Sequence, residues 1–316
     1  MHELSQLRGF NVRQMLDLLA VVENGGVTAA ADALNVSQPA LTRSVRQLEE
    51  SLGVPLLERE GRGVVPTRFG ESLAQHARTI EAELRHVTRD LSDLRRAEAG
   101  HLVIGATPIG LATLVPPVLA RLHAGRPDLT IEVRNESFET QLDALDRGEI
   151  DIVIGSLAGG LSRHEHLVEE VLFQNGLAVL ARSDHPLCAR EDVGLEGLAS
   201  AAWVISRGSA AIRHLVANEF RFEGLDPPRF IVETDSMLCV KGVLMSGGFV
   251  TANPAELFAA EIERGDIGVI PIRWHSGTRP IGFTLREHGT VTPLLAELID
   301  ALREAGRLFA AEGIAA

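Results

Sequence analysis

Four side chains between residues 38 and 46 are of types that read base edges or hold phosphates: Gln38, Thr42, Arg43 and Arg46. Glutamine matches the donor–acceptor pair of adenine, arginine matches guanine or a phosphate, and threonine serves either. Their spacing sets them on one side of a helix. On the other side Leu41, Val45, Leu48 and Leu52 recur at intervals of four, three and four and form one apolar stripe. These polar residues alone would also suit an ordinary surface helix, so the flanking residues decide. Ser37 can cap the helix, and Pro39 is tolerated in its first turn. Upstream, Gly25-Gly26 breaks the chain and Thr28 is placed to cap a preceding helix. Ala29, Ala30, Ala31 and Ala33 are small enough for a close crossing, and Asn35 tolerates the left-handed conformation that ends a helix. Residues 27–53 therefore read as a helix-turn-helix whose second helix enters a DNA groove.

The elements that hold this pair follow from periodicity. Residues 11–24 form an amphipathic helix with Val12, Met15, Leu18, Leu19 and Val22 turned inward. After Gly53, Leu56-Leu57 and Val64-Val65 flank Glu-Gly-Arg-Gly, a hairpin signal. A hairpin directly after a recognition helix makes a wing, with Arg59 and Arg62 added to the patch; at its tip Arg62 can reach phosphate or the minor groove. The whole chain carries a net charge of −13, and residues 1–66 hold six Arg against eight Asp or Glu. DNA contact must rest on a local arginine cluster, not on net charge. Residues 67–96 read as one long helix. Leu73, Ala77, Ile80, Leu84, Val87, Leu91 and Leu94 alternate steps of four and three, a heptad seam. A seam facing water predicts a homodimer on two half-sites of an approximate palindrome; packing of the seam on its own chain is the alternative.

From residue 101 short β-branched runs alternate with helical stretches, predicting parallel sheets covered on both faces. HLVIGA, TIEVRNE and IDIVIGS form the first set. A second set covers about 170–268 and a C-terminal helix spans 291–311. Two α/β lobes enclose a cleft, and ligands of such folds sit beyond the C-terminal strand ends. Hydroxyl-bearing turns fall there: Thr107-Pro108-Ile109 after the first strand, Ser137 after the second, and Ser206-Arg207 after AWVIS. Thr251 and Asn253 mark a weaker fourth edge. Helix N-termini with free amides favour a carboxylate, although a helix cap explains any one of these residues equally well. The chain is thus α/β overall. Its expected parts are a winged helix-turn-helix DNA-binding domain (1–66), a dimerising linker helix (67–99) and an effector-binding domain (100–316). Lobe I of the last covers about 100–168 and 269–316, and lobe II about 169–268.

Other classes fit less well. Cys188 and Cys239, 51 residues apart, make no disulfide framework or metal motif and read as buried reduced thiols. The 11 histidines show no metal-ligand spacing, so no metal or cofactor is expected. Residues 155–160 are glycine-rich but lack phosphate-binding spacing, and no nucleophile–base–acid set appears, so an α/β enzyme ranks last. A small-molecule-binding protein without a DNA role would suit residues 100–300, but no export signal supports it. No membrane span or signal peptide is apparent, and the expected location is cytoplasmic.

The stretch AAADALNVSQPALTRSVRQLEESLGVPLLEREGRGVVPTRFGE closely resembles the N-terminal domain of LysR-type transcriptional regulators. LDRGEIDIVIG and ETDS…VLMSGGFVTANP resemble segments of that family's effector domain. The resemblance implies a winged helix-turn-helix, a dimerising linker helix and an effector domain like periplasmic binding proteins. It implies a homotetramer on an interrupted palindrome of double-stranded DNA and a small-molecule inducer, with RNA polymerase as a further partner of an activator. By position, Thr107, Ser137 and Ser206 match turns that contact the inducer; an aromatic or other carboxylate, or a sugar-derived acid, suits such hydroxyl-lined turns.

Overall fold

A computed structural model of the chain describes residues 11–60, 63–96, 100–157, 164, 166–206, 210–272 and 278–312. The chain separates into two compact units, the first within Met1–Ala97 together with two short segments, Asp146–Glu149 and His288–Thr290.

In the first unit, α1 (Val12–Glu23), α2 (Val27–Ala33) and α3 (Gln38–Leu52) are followed by β1 (Leu57–Glu60), β2 (Gly63–Pro66) and the long α4 (Arg68–Arg96). Asn11 starts α1, its side chain accepting from the Arg13 N–H at 3.0 Å. Met15, Leu18 and Leu19 are buried as expected, but Val12 is exposed and Val21 takes an inward place. Ala30 and Ala31 of α2 are buried, and small side chains at these positions let α2 lie close to its neighbours. Thr28 does not cap α2. The cap position belongs to Gly26, which lacks a side-chain hydrogen bond, so Thr28 lies two residues too far in. The other turn signals hold: Asn35 has φ 55°, Ser37 Oγ accepts the Ala40 N–H at 3.4 Å, and Gly53 ends α3 in the left-handed conformation. The hairpin pairs antiparallel in the register Leu57↔Pro66 to Glu60↔Gly63; its tip lies outside the described residues.

The heptad seam of α4 divides. Leu73 and Ala77 are buried in the core built by α1 and α3, with Ile80 packed against it. For these positions, packing on the same chain is the observed outcome. Leu84 and Val87 are 45% and 51% exposed. Leu91 and Leu94 have side chains outside the described set.

The second unit holds two five-stranded sheets. The first combines β3 (His101–Ala106), β4 (Thr130–Arg134), β5 (Ile152–Ser156), β6 (Leu167–Asn175) and β12 (Arg279–Arg286) in the order β4-β3-β5-β12-β6. The second combines β7 (Ala178–Arg182), β8 (Ala202–Ser206), β9 (Phe230–Thr234), β10 (Phe249–Asn253) and β11 (Ile267–Ile270) in the order β11-β7-β10-β8-β9. Neither is wholly parallel, contrary to expectation: β12 runs against β5 and β6, and β7 against β10 and β11. Each reversed strand is the one that arrives from the other lobe. The same pairing corrects the lobe boundary. β6 belongs to the first sheet and β11 to the second, so the crossings follow Asn175 and Ile270, not residues 168 and 268.

Both faces of each sheet are covered, which explains the nearly continuous apolar runs. On the first sheet, α5 (Pro108–Thr113), α6 (Val115–Gly125) and α12 (Pro293–Glu312) bury one face, and α7 (Phe138–Asp146) the other. On the second, α8 (Leu195–Ala199) and α9 (Ala210–Phe222) oppose α10 (Met237–Met245) and a 3-10 turn, Ala255–Phe258; α11 (Ala259–Glu263) follows that turn.

Candidate functional site

The recognition helix α3 is fixed by its buried side. Leu41, Val45 and Leu48 are 1%, 3% and 0% exposed, so the opposite side cannot turn inward. Polar contacts set its position against α1: Ser44 Oγ donates to Asp17 Oδ2, and Gln14 Nε2 donates to Gln47 Oε1 at 3.2 Å. Gln38, Pro39, Arg43 and Arg46 are exposed and Thr42 is half-buried. Together with Gln47 and Glu50 they line one shallow surface concavity. Thr42 donates its hydroxyl hydrogen to the Gln38 carbonyl at 2.9 Å, which leaves its oxygen to accept. The arrangement offers two guanidiniums and two amides to an extended anionic surface. Arg59 is exposed on β1 and Thr28 on α2; Arg62 lies outside the described residues. Sequence reasoning overlooked Glu49, whose Oε1 accepts the Leu56 and Leu57 N–H groups at 2.7 and 3.1 Å and joins the recognition helix to the wing.

In the second unit Thr107 stands at the end of β3 and opens α5, but its hydroxyl makes no cap bond. It accepts the Ser156 N–H at 3.0 Å instead, so the ends of β3 and β5 are clamped together. Gly155 must be glycine here: its φ is 131°, and a Cβ would collide with the Thr107 hydroxyl. Pro108 is half-buried and Ile109 is buried. Ser137 caps α7, accepting from the Thr140 N–H at 3.3 Å. Ser206, half-buried, ends β8 and pairs with Thr234; Arg207 lies outside the described residues. Thr251 lies inside its strand. It is fully buried within β10, donating to the Val204 carbonyl at 2.8 Å and accepting from Asn253 Nδ2 at 2.8 Å. Thr251 thus bonds β10 to β8, while the Asn253 side chain bonds Thr251 within β10.

At the end of β6 lies a polar group that sequence reasoning missed. Asn175 Nδ2 donates to Glu256 Oε1 at 2.7 Å, linking the last residue of β6 to the 3-10 turn of the other lobe. Arg279, which pairs with Asn175 in register, has its guanidinium pKa pushed down by burial. Nothing in the local sequence marked these three.

The expectation of two buried thiols is half corrected: Cys188 is half-buried, whereas Cys239 is exposed. Burial, then the nearby Asp184 charge, raises the Cys188 pKa, which keeps it in the less reactive thiol form. Among the described residues no cluster of His, Cys, Asp and Glu could hold a metal ion, and no helix is long and apolar enough to cross a membrane.

Residues 12–71 match the bacterial regulatory helix-turn-helix protein of the lysR family, and residues 95–307 match the LysR substrate binding domain. The chain is 30% identical over 294 residues to the DNA-binding transcriptional dual regulator OxyR of Escherichia coli, covering 93% of this chain and 95% of that one. It is 29% identical over 295 residues to the HTH-type transcriptional regulator GbpR of Azospirillum brasilense, covering 93% and 86%. Among solved structures, full-length BenM superposes with a TM-score of 0.54 at 26% identity, covering 97% of this chain and 99% of that one.

Proposed function

The chain belongs to the LysR family of DNA-binding transcriptional regulators, which are not enzymes, and from that membership we propose how its parts divide the work. Gln38, Thr42, Arg43 and Arg46 read bases and phosphates of double-stranded promoter DNA. Thr28, Ser37 and Pro39 seat the helix pair on the backbone, and Arg59 and Arg62 extend the contact along the wing. Two copies pair through the α4 seam to reach two half-sites, and two pairs form a tetramer on an interrupted palindrome. RNA polymerase is the further partner where the protein activates. A chromosomal partner places the protein in the cytoplasm.

The observation that carries this reading is the two-sided character of α3. Its apolar side is buried, while four groups suited to base edges and phosphates remain on the other. In a domain without net positive charge, one copy binds weakly, so doubling supplies affinity.

The inducer is a small carboxylate held between the lobes, near Thr107, Pro108, Ile109, Ser137, Ser206 and Arg207. Hydroxyl-bearing turns at strand ends, next to helix starts, support an anionic ligand. Regulation is a population shift: the inducer binds one arrangement of the effector domains better and so changes the separation of the paired recognition helices. In a gel-retardation assay at moderate salt, the protein should retain the intergenic DNA upstream of its own gene in preference to shuffled DNA. Equal retention of both would overturn specific recognition.

A further inference from the structure

Among the described residues, three buried polar atoms near the lobe crossings have no hydrogen-bond partner: Oδ1 of Asn175, Oε2 of Glu256 and Nε of Arg279. Asn175 and Arg279 oppose each other at the ends of β6 and β12, and opposed residues of an antiparallel pair project from one face. Two residues along each strand, Phe173 and Ile281 belong to the core beneath α5, which places Asn175 and Arg279 on the α5 side of the sheet. The 3-10 turn bearing Glu256 packs against α5, the helix that Thr107 opens. Asn175 is itself only 4% exposed. Among the described residues, Arg279 has neither a hydrogen-bond nor an ion-pair partner, and burial is the sole cause acting on its pKa.

A protein tolerates few buried polar atoms without partners, because each has lost water and gained nothing. Here they have complementary demands. A guanidinium requires an anion, and two acceptor oxygens require donors. A water molecule can serve the oxygens but cannot neutralise the cation. A plain aromatic acid satisfies Arg279 alone, and a neutral polyol satisfies only the oxygens.

We propose that the inducer is a hydroxylated carboxylic acid, whose carboxylate is received by Arg279 and whose hydroxyls donate to Asn175 and Glu256. This rests on the reading that the inducer lies between the lobes, and it narrows the carboxylate to a class. Thr107 after β3 and Ser206 at the end of β8 supply further hydroxyl contacts. Arg279 is the residue that selects acids over polyols, and the Asn175–Glu256 pair selects hydroxylated acids over simple ones. Because that pair already joins the two lobes, a ligand bridging it also biases their closure.

The test uses the full chain, with gluconate and galactonate as hydroxy acids, sorbitol as the neutral polyol and benzoate as the plain acid. Calorimetric titration and thermal melting should show at least one hydroxy acid binding tenfold or more tighter than both sorbitol and benzoate. Arg279→Gln should reduce that affinity at least tenfold, with Arg279→Lys recovering part of it, and Glu256→Leu should weaken the hydroxy acid more than benzoate. A cooperative melt of each variant without ligand reports its fold, and the Lys variant carries the comparison if the Gln variant does not fold. Failure of both hydroxy acids to outbind the controls, or equal affinity in wild type and the Arg279 variants, overturns the proposal. Retention of the upstream DNA is measured in parallel. Retained DNA with no hydroxy-acid preference sinks this assignment alone, whereas loss of retention sinks the regulator reading itself.

Discussion

The carboxylate of Glu49 accepts the backbone N–H of Leu56 at 2.7 Å, across the turn that separates the recognition helix from the wing. Leu56 is 1% exposed, so this N–H cannot turn to water when its partner is removed. Glu49→Ala should cost about 1–3 kcal/mol of stability in the N-terminal unit, the usual penalty for a stranded buried donor. Denaturant unfolding measures it. DNA affinity should fall as well, since the wing loses its reference to α3. A variant as stable as wild type would show that the bond is incidental.

Arg43 and Arg59 should separate base reading from phosphate contact. Arg43→Ala is expected to weaken specific binding by about 1–3 kcal/mol and to relax sequence preference. Arg59→Ala should weaken specific and shuffled DNA alike and lower the salt slope by about one. Binding isotherms at several salt concentrations check both. Equal loss on every sequence with Arg43→Ala would reassign that side chain to a phosphate.

The division of the α4 seam gives two substitutions opposite outcomes. Leu84 is 45% exposed and Ala77 is fully buried. Leu84→Glu should leave the monomer folded and shift sedimentation toward smaller species, because like charges would meet across a helix pair. Ala77→Glu should unfold the N-terminal unit, since the core under α1 cannot hold an unpaired charge. A Leu84→Glu protein that still sediments as the wild type would exclude this part of the seam from association.

Thr251→Val keeps the shape of a fully buried side chain and removes its hydroxyl. The Val204 carbonyl and the Asn253 amide each lose a partner. Stability should fall by about 1–3 kcal/mol, visible as a lower melting temperature. Ligand affinity should change little. A large affinity loss with unchanged stability would return Thr251 to the ligand edge.

Acid should remove one stabilising ion pair at a predictable place. Arg303 donates through Nε and Nη2 to the two Glu170 oxygens, both at 2.8 Å, and this hydrogen bonding holds the Glu170 carboxyl below its ordinary value of 4.5. A carboxyl with a depressed folded pKa stabilises above its unfolded pKa, and the contribution fades as pH falls through the folded one. The side chains are 48% and 39% exposed, so solvent screening keeps the pair below about 1 kcal/mol. Arg303→Met should therefore lower stability slightly at pH 7 and not at all at strongly acid pH. Denaturant midpoints across pH 2–7 test the sign, and parallel curves for the two proteins would refute it.

Much of the N-terminal unit was legible because its determinants are local. A cap, a helix stripe or a left-handed turn is settled within about four residues, and Ser37, Asn35, Gly53 and the Leu41–Leu48 stripe all behave as their types and spacing require. The strand–helix alternation after residue 101 was equally readable, as was the placing of hydroxyl turns at strand ends. Local reasoning misplaced Thr28 by two residues, since two adjacent glycines offered alternative starts for α2. It did not foresee the burial of Thr251 inside β10, because position along a strand does not reveal which groups oppose it.

Residue types and periodicity by themselves determined the helix-turn-helix, the wing, the long helix and an α/β body with hydroxyls at its strand ends. Tertiary structure alone decided which sheet β6 joins, which half of the α4 seam its own chain covers, and that Cys239 reaches the surface. It alone placed Asn175, Glu256 and Arg279 near the lobe crossings. Asn175 and Glu256 lie 81 residues apart in sequence. Local propensities act over a turn of helix or a pair of strand residues. Whether a distant polar atom keeps its water or loses it depends on which parts of the chain close over it.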